Sequence, residues 1–361
     1  MRKVSRFLAW VLFFAVILVS NLSTAQEMKI GFVSCLTGPA AFYGAYMKKG
    51  ADLAIEEING KGGIKGSKIN AIWEDDKGTP TTAVSAIKKL ISVDKVPVVI
   101  GSLTATALAM IPVADKENTV FITSLSTHPD IAKMSQWSFR NCINTVPSAM
   151  AVVDFAFKQQ GKKKMGILLF QNESTRRIAE GVKERFEKLG GTIVGMEMLP
   201  DEGVDYRSPI IKIKDSKPDC VYVAAFARQA GLAMKQMVES GVNVQFYADP
   251  IESPVWLQTA GSAANGAVYG YLDIQQAFLD KYKAKYNEEG EIWGALYYDT
   301  IYTLAIAIEK GGYSAEAIRQ ALMAIKDYPG VTGAITYGQD RDVIKPPIIK
   351  VVKDGKFLKL P

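Results

Sequence analysis

From Met28 to Tyr247 the chain alternates short apolar runs with segments of helical period, and it does so twice over. Met28–Ser34 is apolar enough for a strand buried on both faces, and it runs into the turn-forming Thr37-Gly38-Pro39. Met47, Ala51, Ala54, Ile55 and Ile58 then recur at helical spacing, with charged residues between them, until Asn59-Gly60 stops the helix. Strands are predicted over 69–73, 96–100 and 119–122, with helices over 82–93 and 105–117. The pattern restarts after Asn144: helix 148–160, strand 164–169, helix 175–189, strand 192–198, helix 206–216, strand 220–224, helix 229–240 and strand 244–247. Strands and helices alternating at this pitch require parallel sheets covered on both faces. The predicted fold class is therefore α/β, with two doubly wound parallel-sheet lobes. Ligands of open sheets sit beyond the carboxyl ends of the strands, so two facing lobes make a ligand cleft between those ends.

Beyond about Gly270 the pattern changes to long helices over 274–286, 293–310 and 315–325, followed by short strands at 334–337 and 348–352. No Pro/Gly/Ser-rich stretch or low-complexity tract separates the two halves. The lobes are therefore expected to be joined by several crossing strands and not by one flexible tether.

The first residues have the layout of a secretory signal peptide: a basic start at Arg2, Lys3 and Arg6, an apolar core from Phe7 to Val19, and small residues at Ser23-Thr24-Ala25. Cleavage is expected after Ala25. The apolar core is shorter than the roughly 20 residues that span a bilayer, and a soluble exported chain is predicted. Loss of the leader takes the net charge of +6 down by three, which is too mild a balance for a nucleic-acid partner. The 361 residues, less 25, suit two domains of about 150 residues each. Cys35, Cys142 and Cys220 are far apart, odd in number and set in apolar strand-like runs, which reads as small buried thiols.

Catalytic and metal signatures fail on inspection. There is no His-Glu-x-x-His and no Gly-x-Ser-x-Gly, and the single histidine, His128, stands in a turn with no nucleophile in a recognisable motif. Gly60-Lys61-Gly62-Gly63-Ile64-Lys65-Gly66 follows a helix and misses both phosphate-loop orders, so its glycines serve a tight helix-to-strand turn. Glu74-Asp75-Asp76 are adjacent and cannot converge as spaced calcium ligands do; they read as a solvated strand end. The chain is predicted to be no enzyme and to need neither metal nor cofactor.

Ile30-Gly31-Phe32-Val33, Thr37-Gly38-Pro39, Tyr43-Gly44 and Asp75-Asp76 before Thr79-Pro80 resemble the branched-chain amino-acid type of ABC-transporter solute-binding proteins. Ile58-Asn59-Gly60-Lys61-Gly62-Gly63-Ile64-Lys65-Gly66 is the most specific match; Ile100-Gly101-Ser102, Pro112-Val113-Ala114, Ser126-Thr127-His128-Pro129 and Tyr298-Asp299-Thr300 continue it in family order. The resemblance spans roughly 28 to 350. It implies a type I periplasmic-binding fold with three interlobe crossovers and closure about that three-strand hinge. It also implies a periplasmic location, a monomer, and delivery of a small amino acid or similar carboxylate to an inner-membrane ABC permease. The expected division is a signal peptide at 1–25, an N-terminal lobe at 28–145 plus 273–332, and a C-terminal lobe at 146–272 plus 333–361. A signalling receptor that reads the same closure is the alternative, with an amide, acidic amino acid or aromatic acid as ligand.

Two first-lobe loops carry the expected binding chemistry. In Gly101-Ser102-Leu103-Thr104-Ala105, free backbone N–H groups at a helix start attract a carboxylate, and Ser102 or Thr104 adds hydroxyl contacts. Thr104 alternatively only caps its helix, and the backbone of Ala105 competes with it for the family position. In the second loop, Leu125-Ser126-Thr127, the resemblance puts Thr127 on the ligand's polar end. It also makes Tyr43 and Trp293 aromatic walls and Asp249 the second-lobe acid for a ligand ammonium, with Glu252 as the fallback. Two stretches depart from the family pattern: Gln171-Asn172-Glu173-Ser174-Thr175 and Phe226-Ala227-Arg228. Asn172, Ser174 and Arg228 there point to a more polar or acidic ligand.

Overall fold

The structure, a computed structural model, describes residues 27–126, 128, 130–142, 145–171, 173–200, 205–248 and 252–360. The expected signal peptide lies outside the described residues. Five parallel strands form the first sheet: β1 (Met28–Ser34), β2 (Ile69–Asp75), β3 (Val98–Gly101), β4 (Val120–Thr123) and β5 (Ser138–Arg140), in the order β2-β1-β3-β4-β5. β1 and β2 pair in register along their full length, from Met28 opposite Ile69 to Ser34 opposite Asp75. The connecting helices are α1 (Ala41–Gly60), α2 (Pro80–Ser92) and α3 (Thr104–Lys116).

α4 (Thr145–Asp154) opens the second lobe and leads to β6 (Lys164–Phe170), α5 (Glu173–Lys188), β7 (Thr192–Leu199), α6 (Arg207–Asp215), β8 (Cys220–Ala224), α7 (Ala227–Glu239), β9 (Gln245–Ala248), α8 (Pro254–Ala260) and β10 (Val268–Tyr271). These five strands are parallel. The chain then returns to the first lobe with α9 (Gln276–Tyr286), α10 (Ile292–Gly311), α11 (Ala315–Met323) and a small antiparallel sheet of β11 (Tyr328–Gly330), β12 (Gly333–Tyr337) and β13 (Val343–Ile344). A last crossing delivers β14 (Ile348–Lys353) and β15 (Lys356–Lys359) to the second sheet, where β14 runs antiparallel to β10.

Both sheets are buried on both faces, as their unbroken apolar strands require. Ile30 and Phe32 of β1 face the core shared with α1 and α10, and Val33 faces the core under α2 and α3. In the second lobe Val221 and Val223 of β8 face α6 and α7, and Cys220, Tyr222 and Ala224 face α4 and α5. All three cysteines are buried and unlinked.

The packing does not match the expected division at 332/333. Ile335 and Tyr337 of β12 and Val343 of β13 lie in the first lobe's core with α1 and α10, so the third crossing falls between Ile344 and Ile348. The cause is the buried Asp299 of α10. It accepts hydrogen bonds from the backbone N–H of Val331 at 2.7 Å and of Thr332 at 2.9 Å, and holds the β11–β12 turn to the helix. Lys345, equally buried, donates to Thr332 Oγ1 at 2.5 Å and pins the start of the last crossing.

α1 and α10 approach closely where two glycines meet. A Cβ on Gly50 would stand 2.0 Å from the carbonyl oxygen of Gly294. No helix among the described residues is long and apolar enough to cross a membrane.

Candidate functional site

Loops after the first-lobe strands are knitted together by side-chain hydrogen bonds. Asp75, at the end of β2, accepts from the backbone N–H of Leu36 (3.0 Å), Thr37 (3.2 Å) and Lys77 (2.9 Å) and from the Thr37 hydroxyl (2.5 Å). Burial pushes its carboxyl up, but these donors outweigh it and hold the pKa below the ordinary value. Its neighbour Asp76 is fully buried and accepts from Gly78 N–H at 2.8 Å, and burial raises its pKa. Asp75 and Asp76 thus hold the loop, and the buried Asp76 departs from the solvated strand end expected, while Glu74 pairs with Lys89 at the surface. The held loop fixes the start of α1 and with it Tyr43.

The loops after β3 and β4 are tied in the same way. Thr123 Oγ1 donates to the Ser102 carbonyl at 3.2 Å and accepts from Ser126 N–H at 3.3 Å, and Ser126 Oγ donates to Thr104 Oγ1 at 3.1 Å. Thr104 is the first residue of α3 and its side chain does not cap the helix, since Leu103 stands at the cap position. Ser102 is fully buried, and its Oγ has no hydrogen-bond partner among the described residues. An unpartnered buried hydroxyl beside unpaired first-turn N–H groups suits an anionic guest. His128 is a turn residue: its Nδ1 accepts from Asp130 N–H at 3.2 Å and its carbonyl accepts from Arg140 at 2.7 Å.

A cavity of about 520 Å³ lies between the two sheets, beyond their strand ends. Tyr43, Leu103 and Leu125 line it from the first lobe, and Ile292, Trp293 and Leu296 from the start of α10. Tyr43 and Trp293 meet edge to face with centroids 4.8 Å apart. Trp293 packs against the cores of both lobes. The crossing segments add Cys142, Thr145, Tyr271 and Leu272, and the second lobe adds Thr175, Ile178, Phe226, Arg228, Glu252 and Val255.

Of the residues named from sequence, Tyr43, Leu125, Arg228, Trp293 and the fallback acid Glu252 line this cavity. Ser102, Thr104, Ala105 and Ser126 flank Leu103 and Leu125 and do not line it. Ser174 is in the first turn of α5, whose Thr175 and Ile178 line the cavity. Thr127, Asp249 and Asn172 lie outside the described residues. Sequence reasoning missed Thr145, Tyr271 and Lys350. The one available signal was a lysine inside the apolar run Ile348-Ile349-Lys350-Val351-Val352, where a charge demands a partner. That partner is Glu252: Lys350 Nζ lies 2.6 Å from its Oε2 and 2.8 Å from its Oε1, and Tyr269 OH donates to Oε2 at 2.9 Å. Glu291, the residue before α10, has its carboxyl pushed up to about 7, first by burial and then by the Glu252 charge, with Lys350 opposing.

This arrangement can enclose a small molecule with an apolar body and orient it by a few polar groups, as ligand clefts do. Comparison with known proteins agrees with that geometry. A sequence model of the family described as periplasmic binding protein matches residues 27–356. A Leu/Ile/Val-binding protein of Rhizobium johnstonii is 28% identical over 90% of this chain and 92% of its own length. The branched-chain amino acid transporter substrate-binding protein of Streptococcus pneumoniae, solved with isoleucine, superposes with a TM-score of 0.79 at 26% identity, covering 93% of this chain and 100% of that one. A solute-binding protein of an ABC transporter from Rhodopseudomonas palustris, solved with 3,4-dihydroxybenzoic acid, gives a TM-score of 0.78 at 25% identity, covering 92% and 96%.

Proposed function

The chain belongs to the periplasmic binding protein family, and from that premise we propose that it is a transport receptor. In this reading it binds a small amino acid or related carboxylate in the interlobe cleft and presents it to an inner-membrane ABC permease. The observation that carries the proposal is the cavity itself, lined at once by Tyr43 and Leu125 of one lobe, Phe226 and Glu252 of the other, and Trp293 between them. A ligand touching both lobes favours the closed arrangement by the contacts that an open one lacks. Its carboxylate is assigned to the start of α3, where Leu103 lines the cavity and the unpartnered Ser102 hydroxyl lies behind it, with Thr127 as a proposed hydroxyl contact. An ammonium-bearing ligand would also need a second-lobe acid, Asp249 or Glu252. The names of the relatives, which bind leucine, isoleucine, valine or an aromatic acid, support a carboxylate ligand. Export through a cleaved leader and a monomeric state are part of the same proposal.

A micromolar affinity requires about −8 kcal/mol. Several charge-assisted hydrogen bonds in a pocket closed by aromatic walls supply that magnitude. The test is native mass spectrometry of the purified protein for co-purified ligand, followed by a thermal-shift panel of amino acids and simple carboxylic acids. A stabilising carboxylate whose effect is lost in Trp293→Ala supports the reading. A panel in which no carboxylate raises the unfolding midpoint refutes it, because any ligand above its Kd stabilises the fold that binds it.

A further inference from the structure

Glu252 is the only acid among the described residues that line the cavity, and it is already committed. Both of its carboxylate oxygens lie within 2.8 Å of Lys350 Nζ, and Tyr269 adds a hydroxyl donor. The lysine and glutamate side chains are only 11% and 16% exposed, so water does little to loosen the pair. The sheet builds this arrangement: Lys350 of β14 stands directly opposite Tyr269 of β10. Directly opposed residues point to the same face, which sets ammonium and phenol around one carboxylate.

Arg228 is in the contrary situation. It sits in the first turn of α7, is exposed, lines the cavity, and has no ion pair among the described residues. Phe226, at the cap of that helix, supplies no side-chain hydrogen bond, so the positive helix end adds to the arginine's charge. Among its described residues, the second lobe therefore shows the cavity a free cation and a neutralised acid. Against these described groups, an α-amino acid brought between the lobes would bury its ammonium beside Arg228 or strip Lys350 from Glu252. Both leave a buried charge without a partner. A carboxylate without an ammonium meets neither obstacle, and the walls made by Tyr43, Leu103, Leu125, Tyr271, Trp293 and Val255 suit an apolar body.

We infer that the ligand is a carboxylic acid with an apolar body and no α-ammonium group, and that Arg228 is the second-lobe partner of its acid group. This rests on the reading of the cleft as a carboxylate receptor and narrows the ligand class within it.

Calorimetry with matched pairs tests the assignment: leucine against 4-methylpentanoate, and phenylalanine against 3-phenylpropanoate, each pair differing only in the ammonium. The acid lacking the ammonium binds about tenfold tighter or better, a difference of about 1.4 kcal/mol. Arg228→Gln lowers that affinity about tenfold with the unfolding midpoint unchanged, because the residue is exposed. Lys350→Met, which frees Glu252, moves the preference toward leucine. Leucine binding more tightly than 4-methylpentanoate to the unaltered protein overturns the inference while the receptor reading stands, and so does an Arg228→Gln variant of undiminished affinity. Silence of every acid in the panel removes the receptor reading, and this inference with it.

Discussion

Glu291→Gln makes the protein more stable at alkaline pH and leaves it unchanged in acid. In the fold its carboxyl is raised from an ordinary value of 4.5 to about 7 by burial and by the nearby Glu252 charge. The folded protein therefore holds a proton that the unfolded chain releases between those two values. The stability this provides is fully present below about pH 4.5 and is lost as pH rises through about 7. A rise of that size at about 1.4 kcal/mol per unit is roughly 3 kcal/mol. Solvent contact on the partly exposed carboxylate brings it to about 2 kcal/mol. Glutamine keeps the shape and never ionises, so it avoids this loss. It also gives up the attraction between a carboxylate and the start of α10, about 0.3–1 kcal/mol, for a net gain of about 1–2 kcal/mol above pH 8. Urea unfolding of both proteins followed by circular dichroism at several pH values between about 4 and 8.5 measures the difference directly. A difference that stays constant with pH, or that appears in acid and vanishes in base, refutes the account of Glu291 as a buried, charge-crowded acid.

Two further substitutions test the packing and the charge arrangement. Gly50→Ala drives a methyl toward the Gly294 carbonyl at 2.0 Å and lowers stability by about 1–3 kcal/mol in thermal unfolding. Gly60→Ala, with nothing within 4 Å of its added Cβ, is neutral or mildly stabilising, and equal losses at both sites would contradict the close approach of α1 and α10. Glu252→Gln and Lys350→Met each destabilise by about 2 kcal/mol or more, because each leaves a shielded charge unpaired. The double variant recovers most of that loss, so a cycle measured by urea unfolding shows coupling of about 3 kcal/mol or more, and simple additivity would show the pair to be energetically idle.

Much of the site's location was legible in residue order. Strand ends followed by turn residues marked the loops that carry Tyr43, Leu103 and Leu125, since parallel strands bring their carboxyl ends to one edge. The two stretches that depart from the family pattern, 171–175 and 226–228, contribute Thr175, Phe226, Ala227 and Arg228 to the cavity. Less legible were the short elements that exist only through distant partners. β5 spans three residues, and β10 and β14 pair across some eighty residues of intervening chain. Local pattern announces β14, predicted at 348–352, but neither β5 nor β10, and not the β10–β14 pairing, because pairing over such a separation depends on what the rest of the fold brings alongside.

The sequence alone pointed to two α/β lobes, because apolar runs alternating with helical periods bury their faces in parallel sheets covered by helices, and the pattern restarts after Asn144. It also marked the strand-end loops of Tyr43 and Leu125, which line the cavity. Tertiary structure decided the charge of the cleft. Glu252 and Lys350 are 98 positions apart, and only the β10–β14 pairing sets them 2.6 Å from each other with Tyr269 beside them. Composition counts both charges as available; proximity cancels one against the other and leaves Arg228 as the free charge among the described residues of the cavity wall.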